Sequence, residues 1–120
     1  MSKKILIVED DPNLREVLRI FLEKSGFEVI SSSDAYGGIQ LAHKERPDLA
    51  ILDIAMPAGG GISVLRKLKQ STHTKNIPVI ITTGTASKED EQEALRLGIK
   101  EYIRKPYSPE DLLDKINKIF

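Results

Sequence analysis

Four short stretches of this chain hold residues able to do chemistry. Glu9, Asp10 and Asp11 stand side by side directly after the apolar run Ile5-Leu6-Ile7-Val8. Asp53 closes the apolar stretch 49–52, Thr82-Thr83-Gly84 closes another at 78–81, and Arg104-Lys105-Pro106 follows Tyr102-Ile103. Clustered carboxylates raise one another's pKa and cost stability unless a cation neutralises them. Hard oxygen ligands suit Mg2+, which keeps several waters and takes one or two carboxylates. Carboxylates, a hydroxyl and an ammonium around such an ion would stabilise charge on a transferring phosphoryl group. A carboxylate can itself be the nucleophile and form an acyl phosphate.

That chemistry needs elements that bring the four stretches together. Residues 5–8 are a short continuous apolar run, the pattern of a strand buried on both faces. Leu14, Val17, Leu18, Phe21 and Leu22 then repeat at helical spacing, with Asp11 as the N-cap, Pro12 at the first helical position and Gly26 as the stop. The alternation continues: a strand at 27–32, a helix capped by Asp34 and ending before Pro47, a strand at 49–52, and a helix carrying Val64, Leu65 and Leu68. A strand at 78–82, a charged helix near 89–97 stopped by Gly98, a short strand around Tyr102-Ile103 and a helix from Ser108-Pro109 complete it. Five strands alternating with five helices predict a parallel sheet covered on both faces, with its ligand site at the carboxyl ends of the strands. All four chemical stretches fall there.

Composition narrows the function. The chain has 120 residues, enough for one domain that folds without disulfide or metal. It has 18 basic and 18 acidic residues and no cysteine. No net positive field exists to attract nucleic acid or an acidic membrane. Thiolate metal sites are excluded, and the absence of cysteine fits a cytoplasmic location. The apolar run after the N-terminal lysines is too short for a signal core or a membrane span.

ILIVEDD, ILDIAMP, VIITTG and YIRKPY, in that order and spacing, resemble the four marker segments of the receiver domain of bacterial two-component response regulators. The resemblance runs from the first strand to the last helix, so residues 1–120 read as one receiver domain similar to single-domain chemotaxis regulators. It implies a flavodoxin-like (βα)5 three-layer sandwich with strand order 2-1-3-4-5. Asp53 is then the phosphoacceptor, taking a phosphoryl group from the phosphohistidine of a histidine kinase or phosphotransfer protein. Glu9 and Asp10 match the acid pair that holds Mg2+, Asp10 directly and Glu9 through water. Asp53 and the backbone carbonyl of Ala55 complete that ligand set. Thr83 matches the hydroxyl that follows the phosphoryl group, Lys105 the lysine that contacts it, and Tyr102 the aromatic switch position. The family uses a cis bond between Lys105 and Pro106 to aim the lysine. Output is expected as a contact between the fourth-helix, fifth-strand and fifth-helix face and a downstream protein, from a monomer or a phosphorylation-dependent dimer, with no turnover as an enzyme.

The chain departs from the family in places. Ala58-Gly59-Gly60-Gly61 replaces the commoner Gly-Met-Asp-Gly, and the glycines predict a flexible loop before the third helix. The triplet fits no phosphate-loop fingerprint. Gly84 stands where alanine is usual, which predicts a more open site. Ala55 and Thr85 occupy positions that tune hydrolysis of the phosphoryl group. Asp11 is assigned to helix capping alone, and His43 and His73 to the surface. Two rival functions use the same residues: an interaction module with a receiver fold that is never phosphorylated, and a Mg2+-dependent phosphohydrolase. The intact set of Asp53, Thr83 and Lys105 argues against the first. No general acid–base residue is evident beside Asp53, which argues against the second.

Overall fold

In the computed structural model, residues 2–56, 60–84 and 87–120 are described. Strands β1 (Lys4–Val8), β2 (Glu28–Ser32), β3 (Leu49–Asp53), β4 (Val79–Thr83) and β5 (Glu101–Arg104) alternate with helices α1 (Pro12–Lys24), α2 (Ala35–Glu45), α3 (Gly60–Gln70), α4 (Lys88–Arg96) and α5 (Pro109–Ile119). Every strand pairing is parallel, in the order β2-β1-β3-β4-β5. This is the flavodoxin-like sheet. The order reverses at β1, so the loops after β1 and β3 diverge and leave a crevice between them.

Side-chain caps start the helices. The Asp11 carboxylate accepts from the amides of Asn13 (2.9 Å) and Leu14 (3.3 Å). Asp34 accepts from Gly37 N, Ser87 from Asp90 N and Ser108 from Asp111 N. Each cap satisfies an amide that has no partner within the helix, a contribution of about 1 kcal/mol. Ser87 starts α4 ahead of its acidic first turn, Glu89-Asp90-Glu91, which complements the positive end of the helix dipole.

Side chains alternate between the two faces of each strand. Ile5, Ile7, Leu49, Ile51, Ile80 and Ile103 face one core, closed by Leu18 and Leu22 of α1 and Leu112 and Ile116 of α5. Leu6, Val8, Ala50, Leu52, Val79 and Ile81 face the other, closed by Ala42 of α2, Val64, Leu65 and Leu68 of α3, and Ala94 of α4. Strands β1, β3 and β4 are buried along nearly their whole length.

The glycine-rich segment departs from the sequence reading. Gly60 and Gly61 are buried first residues of α3 and not part of a flexible loop; Ala58 and Gly59 lie outside the described residues. Gly60 has φ +49°, and a Cβ there would stand 2.6 Å from the Ile54 carbonyl oxygen. A Cβ on Gly61 would stand 2.5 Å from the Asp53 carbonyl oxygen. Close docking of helix against strand end explains these two glycines. Strands β3 and β4 also each run one residue further than the apolar pattern, taking in Asp53 and Thr83.

Candidate functional site

The strand ladders carry on past the ends of β1 and β5. Glu9 N donates to Ser32 O (3.1 Å) and Lys105 N to Thr83 O (2.7 Å). The alternation therefore continues too. Glu9, Asp53 and Lys105 share the parity of the α1/α5 core, while Thr83 and Tyr102 share that of the α2/α3/α4 core. Residues from opposite faces of the sheet thus meet at its carboxyl edge.

Lys105 is the hub. Its Nζ donates to Glu9 Oε1 at 2.8 Å and to Asp53 Oδ2 at 3.2 Å. Each carboxylate has its second oxygen held by a backbone amide: Asp11 N to Glu9 Oε2 and Ala55 N to Asp53 Oδ1, both 3.1 Å. Arg15, one turn into α1, donates from Nη1 to the Glu9 carbonyl at 2.8 Å and so ties the helix to the strand end. The Lys105–Pro106 peptide bond is cis.

Asp10 is exposed, whereas Glu9 and Asp53 are buried. One carboxylate oxygen from each of the three lies within 4.8 Å of the others. Burial pushes the Glu9 carboxyl up to about 7; the Lys105 ammonium and the Asp11 amide oppose this, and the charge of Asp53 adds to it. Burial works to lower Lys105, but Glu9 and Asp53 outweigh it and hold the ammonium above its usual value. Three carboxylates against one ammonium leave the cluster short of positive charge. An all-oxygen set, one side open to solvent, fits a hard divalent cation of the Mg2+ kind.

On the other parity, Thr83 is buried at the end of β4. The Tyr102 phenol is pushed above its usual value by burial and by the charge of Glu91, with the Thr83 hydroxyl acting against the rise. The Arg104 guanidinium lies 5.9 Å from the Tyr102 ring centroid and pairs with Glu91 of α4 at 3.4 Å. Thr83, Tyr102, β5 and α4 are therefore in contact as one group.

The structure brings together Glu9, Asp10, Asp53 and Lys105, with Thr83 and Tyr102 beside them. Ala55 is exposed next to Asp53, and its amide is engaged there. A Cβ on Gly84 would meet no atom of the described residues within 4 Å. Thr85 lies outside the described residues. Asp11 caps α1, as its place before Pro12 indicates. His43 is exposed on α2, and His73 meets Arg46 Nη2 at 3.0 Å. The sequence assigns no role to two residues at the site: Arg15, and Tyr107, which only closes the YIRKPY segment. Spacing places Arg15 on the first turns of α1, but only the fold aims it at a carbonyl. Tyr107 reads as an ordinary apolar position two past Lys105.

The chain belongs to the response regulator receiver domain family, whose model matches residues 5–117. Members are signalling modules that work with histidine kinases and downstream targets. The chain is similar to the protein PilH of Pseudomonas aeruginosa, at 37% identity over 116 residues, covering 97% of this chain and 96% of PilH. It is also 34% identical over 119 residues to the phosphate regulon transcriptional regulatory protein PhoB of Escherichia coli, covering 99% of this chain and 52% of PhoB. The chain thus spans about half the length of several curated relatives it matches. Among solved structures, a CheY-like response regulator receiver domain protein from Methanospirillum hungatei JF-1 superposes with a TM-score of 0.93 at 34% identity, covering 99% of this chain and 94% of that one.

Proposed function

We propose that Asp53 accepts a phosphoryl group from the phosphohistidine of a partner kinase or phosphotransfer protein, in a Mg2+-dependent reaction, and that the phosphorylated chain signals to a downstream protein. The observation that carries this is Lys105 bridging Glu9 and Asp53 in a carboxylate cluster short of positive charge. In this reading an Asp53 carboxylate oxygen attacks phosphorus. The P–N bond to the donor imidazole breaks, and its electron pair stays on the imidazole. Lys105 is already within hydrogen-bond reach of the attacking group and turns to the incoming phosphoryl oxygens. Asp10 directly, Glu9 through water, Asp53 and the Ala55 carbonyl would hold Mg2+, which when bound supplies positive charge to those oxygens.

The phosphoryl group adds roughly two negative charges and strong acceptor oxygens at one point. Thr83 follows it, Tyr102 responds to Thr83, and the face built from α4, β5 and α5 shifts between two states. That face is the proposed output surface, on a monomer or a phosphorylation-dependent dimer, acting in the cytoplasm as a switch with no catalytic turnover.

The test is an intact-mass measurement with Mg2+ and a small-molecule phosphodonor. One added phosphoryl group that is absent in Asp53→Asn supports the reading. Donor left intact with no adduct would instead indicate a phosphorylation-independent interaction module. Rapid donor consumption without an adduct would indicate a phosphohydrolase.

A further inference from the structure

Tyr107 follows Lys105 by two residues, and its ring packs with the α1/α5 core. Its hydroxyl is buried and makes no hydrogen bond with any described residue. Leaving a buried polar group without a protein partner costs about 1–3 kcal/mol, and phenylalanine would fill the same space without that cost. Tyr107 lines a cavity of ≈ 420 Å³ together with Asp11, Leu14, Lys105 and Pro106, so the residue borders the same space as the bridging lysine. Burial and the charges of Glu9 and Asp53 all push the phenol upward, which keeps the hydroxyl protonated and within the field of both carboxylates.

One step of the proposed reaction leaves the Glu9 carboxylate with one donor fewer. Lys105 is the only side chain among the described residues that donates to Glu9. When the ammonium turns to a phosphoryl group on Asp53, Glu9 Oε1 loses its side-chain donor while staying buried, even where a Mg2+-bound water reaches the carboxylate. A buried carboxylate left short of a hydrogen bond is costly. We propose that Tyr107 is a positioning residue: when Lys105 leaves Glu9 for the phosphoryl group, the Tyr107 hydroxyl takes its place as donor to the Glu9 carboxylate. The hydroxyl is thus idle in the resting state and engaged in the phosphorylated one. This inference rests on the phosphoacceptor reading of Asp53.

The test compares wild type with Tyr107→Phe, using Mg2+ alone and then beryllofluoride, a tetrahedral phosphoryl mimic, at saturating Mg2+. Tyr36→Phe, exposed on α2, serves as the control. For Tyr107→Phe the melting temperature and the affinity for Mg2+ alone should hold or improve, while beryllofluoride affinity falls roughly tenfold, the scale of one hydrogen bond to a charged group. In wild type with beryllofluoride, proton NMR should show a slowly exchanging hydroxyl resonance that Tyr107→Phe lacks. Equal beryllofluoride affinity in the two proteins overturns the proposal. A parallel loss of Mg2+ and beryllofluoride affinity also overturns it, since that would mark a structural role. Failure of wild type itself to bind beryllofluoride would remove the phosphoacceptor reading, and this inference with it.

Discussion

Glu9 sets the pH behaviour of the site. Its carboxyl stands at about 7 against an ordinary 4.5. Well below 4.5 it is protonated in folded and unfolded chains alike, and no penalty arises. Between those values the unfolded chain gives up its proton and the folded chain keeps it, so stability falls as pH rises; by pH 8 the full penalty is present. In EDTA, the melting temperature should therefore drop between pH 5.5 and pH 8, and Glu9→Gln should flatten the drop. A wild-type profile that is flat or rises across this window would contradict the assignment. Among the neighbouring acids, Asp10→Asn should weaken Mg2+ binding by roughly tenfold or more, because a charged oxygen ligand is lost. Asp11→Asn, which keeps the N-cap, should leave Mg2+ binding unchanged; equal titration curves for the two variants would defeat the division. This division was legible in the sequence because Pro12 marks Asp11 as a cap. The roles of Arg15 and Tyr107 were not. A tyrosine and a phenylalanine satisfy the same apolar pattern, and only packing decides where the hydroxyl points.

The elements were read from periodicity, which works where one face is buried and fails where close approach decides. Strands and helices fell where apolar spacing put them. The start of α3 did not, because glycines read as freedom when nothing shows what presses on them. Gly60 and Gly61 are small because backbone carbonyls of Ile54 and Asp53 occupy the space a side chain would need. Gly61→Ala should thus lower stability by about 1–3 kcal/mol or more, several degrees in melting temperature for a domain this size. It should also weaken Mg2+ binding by shifting the Asp53 backbone. Gly84→Ala, whose Cβ would meet none of the described residues within 4 Å, should stay within about 0.5 kcal/mol of wild type. Thermal melts of the two variants side by side would check the contrast, and equal losses would show that the space around Gly61 is not limiting.

At the scale of the molecule, alternation of strand and helix announces a parallel sheet but not its order. The order depends on which way each crossover turns, and here it came from resemblance to a family. Once β1 lies between β2 and β3, the carboxylates from two strands are forced together, and the fold holds charge it cannot neutralise alone. A cation that binds only the folded state should return stability: at pH 8, Mg2+ at a hundred times its dissociation constant should add about 2.7 kcal/mol. At pH 5.5, with Glu9 protonated, the same Mg2+ concentration should add much less, and denaturant titrations at the two pH values would measure it. The sheet also imposes a sidedness on any message. Glu9, Asp53 and Lys105 belong to the layer of α1 and α5, and Tyr102 to the layer of α2, α3 and α4. In the proposed switch, a change at Asp53 must pass from one side of the sheet to the other, and the adjacent Thr82 and Thr83, pointing to opposite faces at the last step of β4, are where it can cross. Receipt and transmission are therefore separable by a single substitution. Thr83→Ala should still gain the mass of a phosphoryl group, while amide exchange across α4 stays as it is in the unmodified chain.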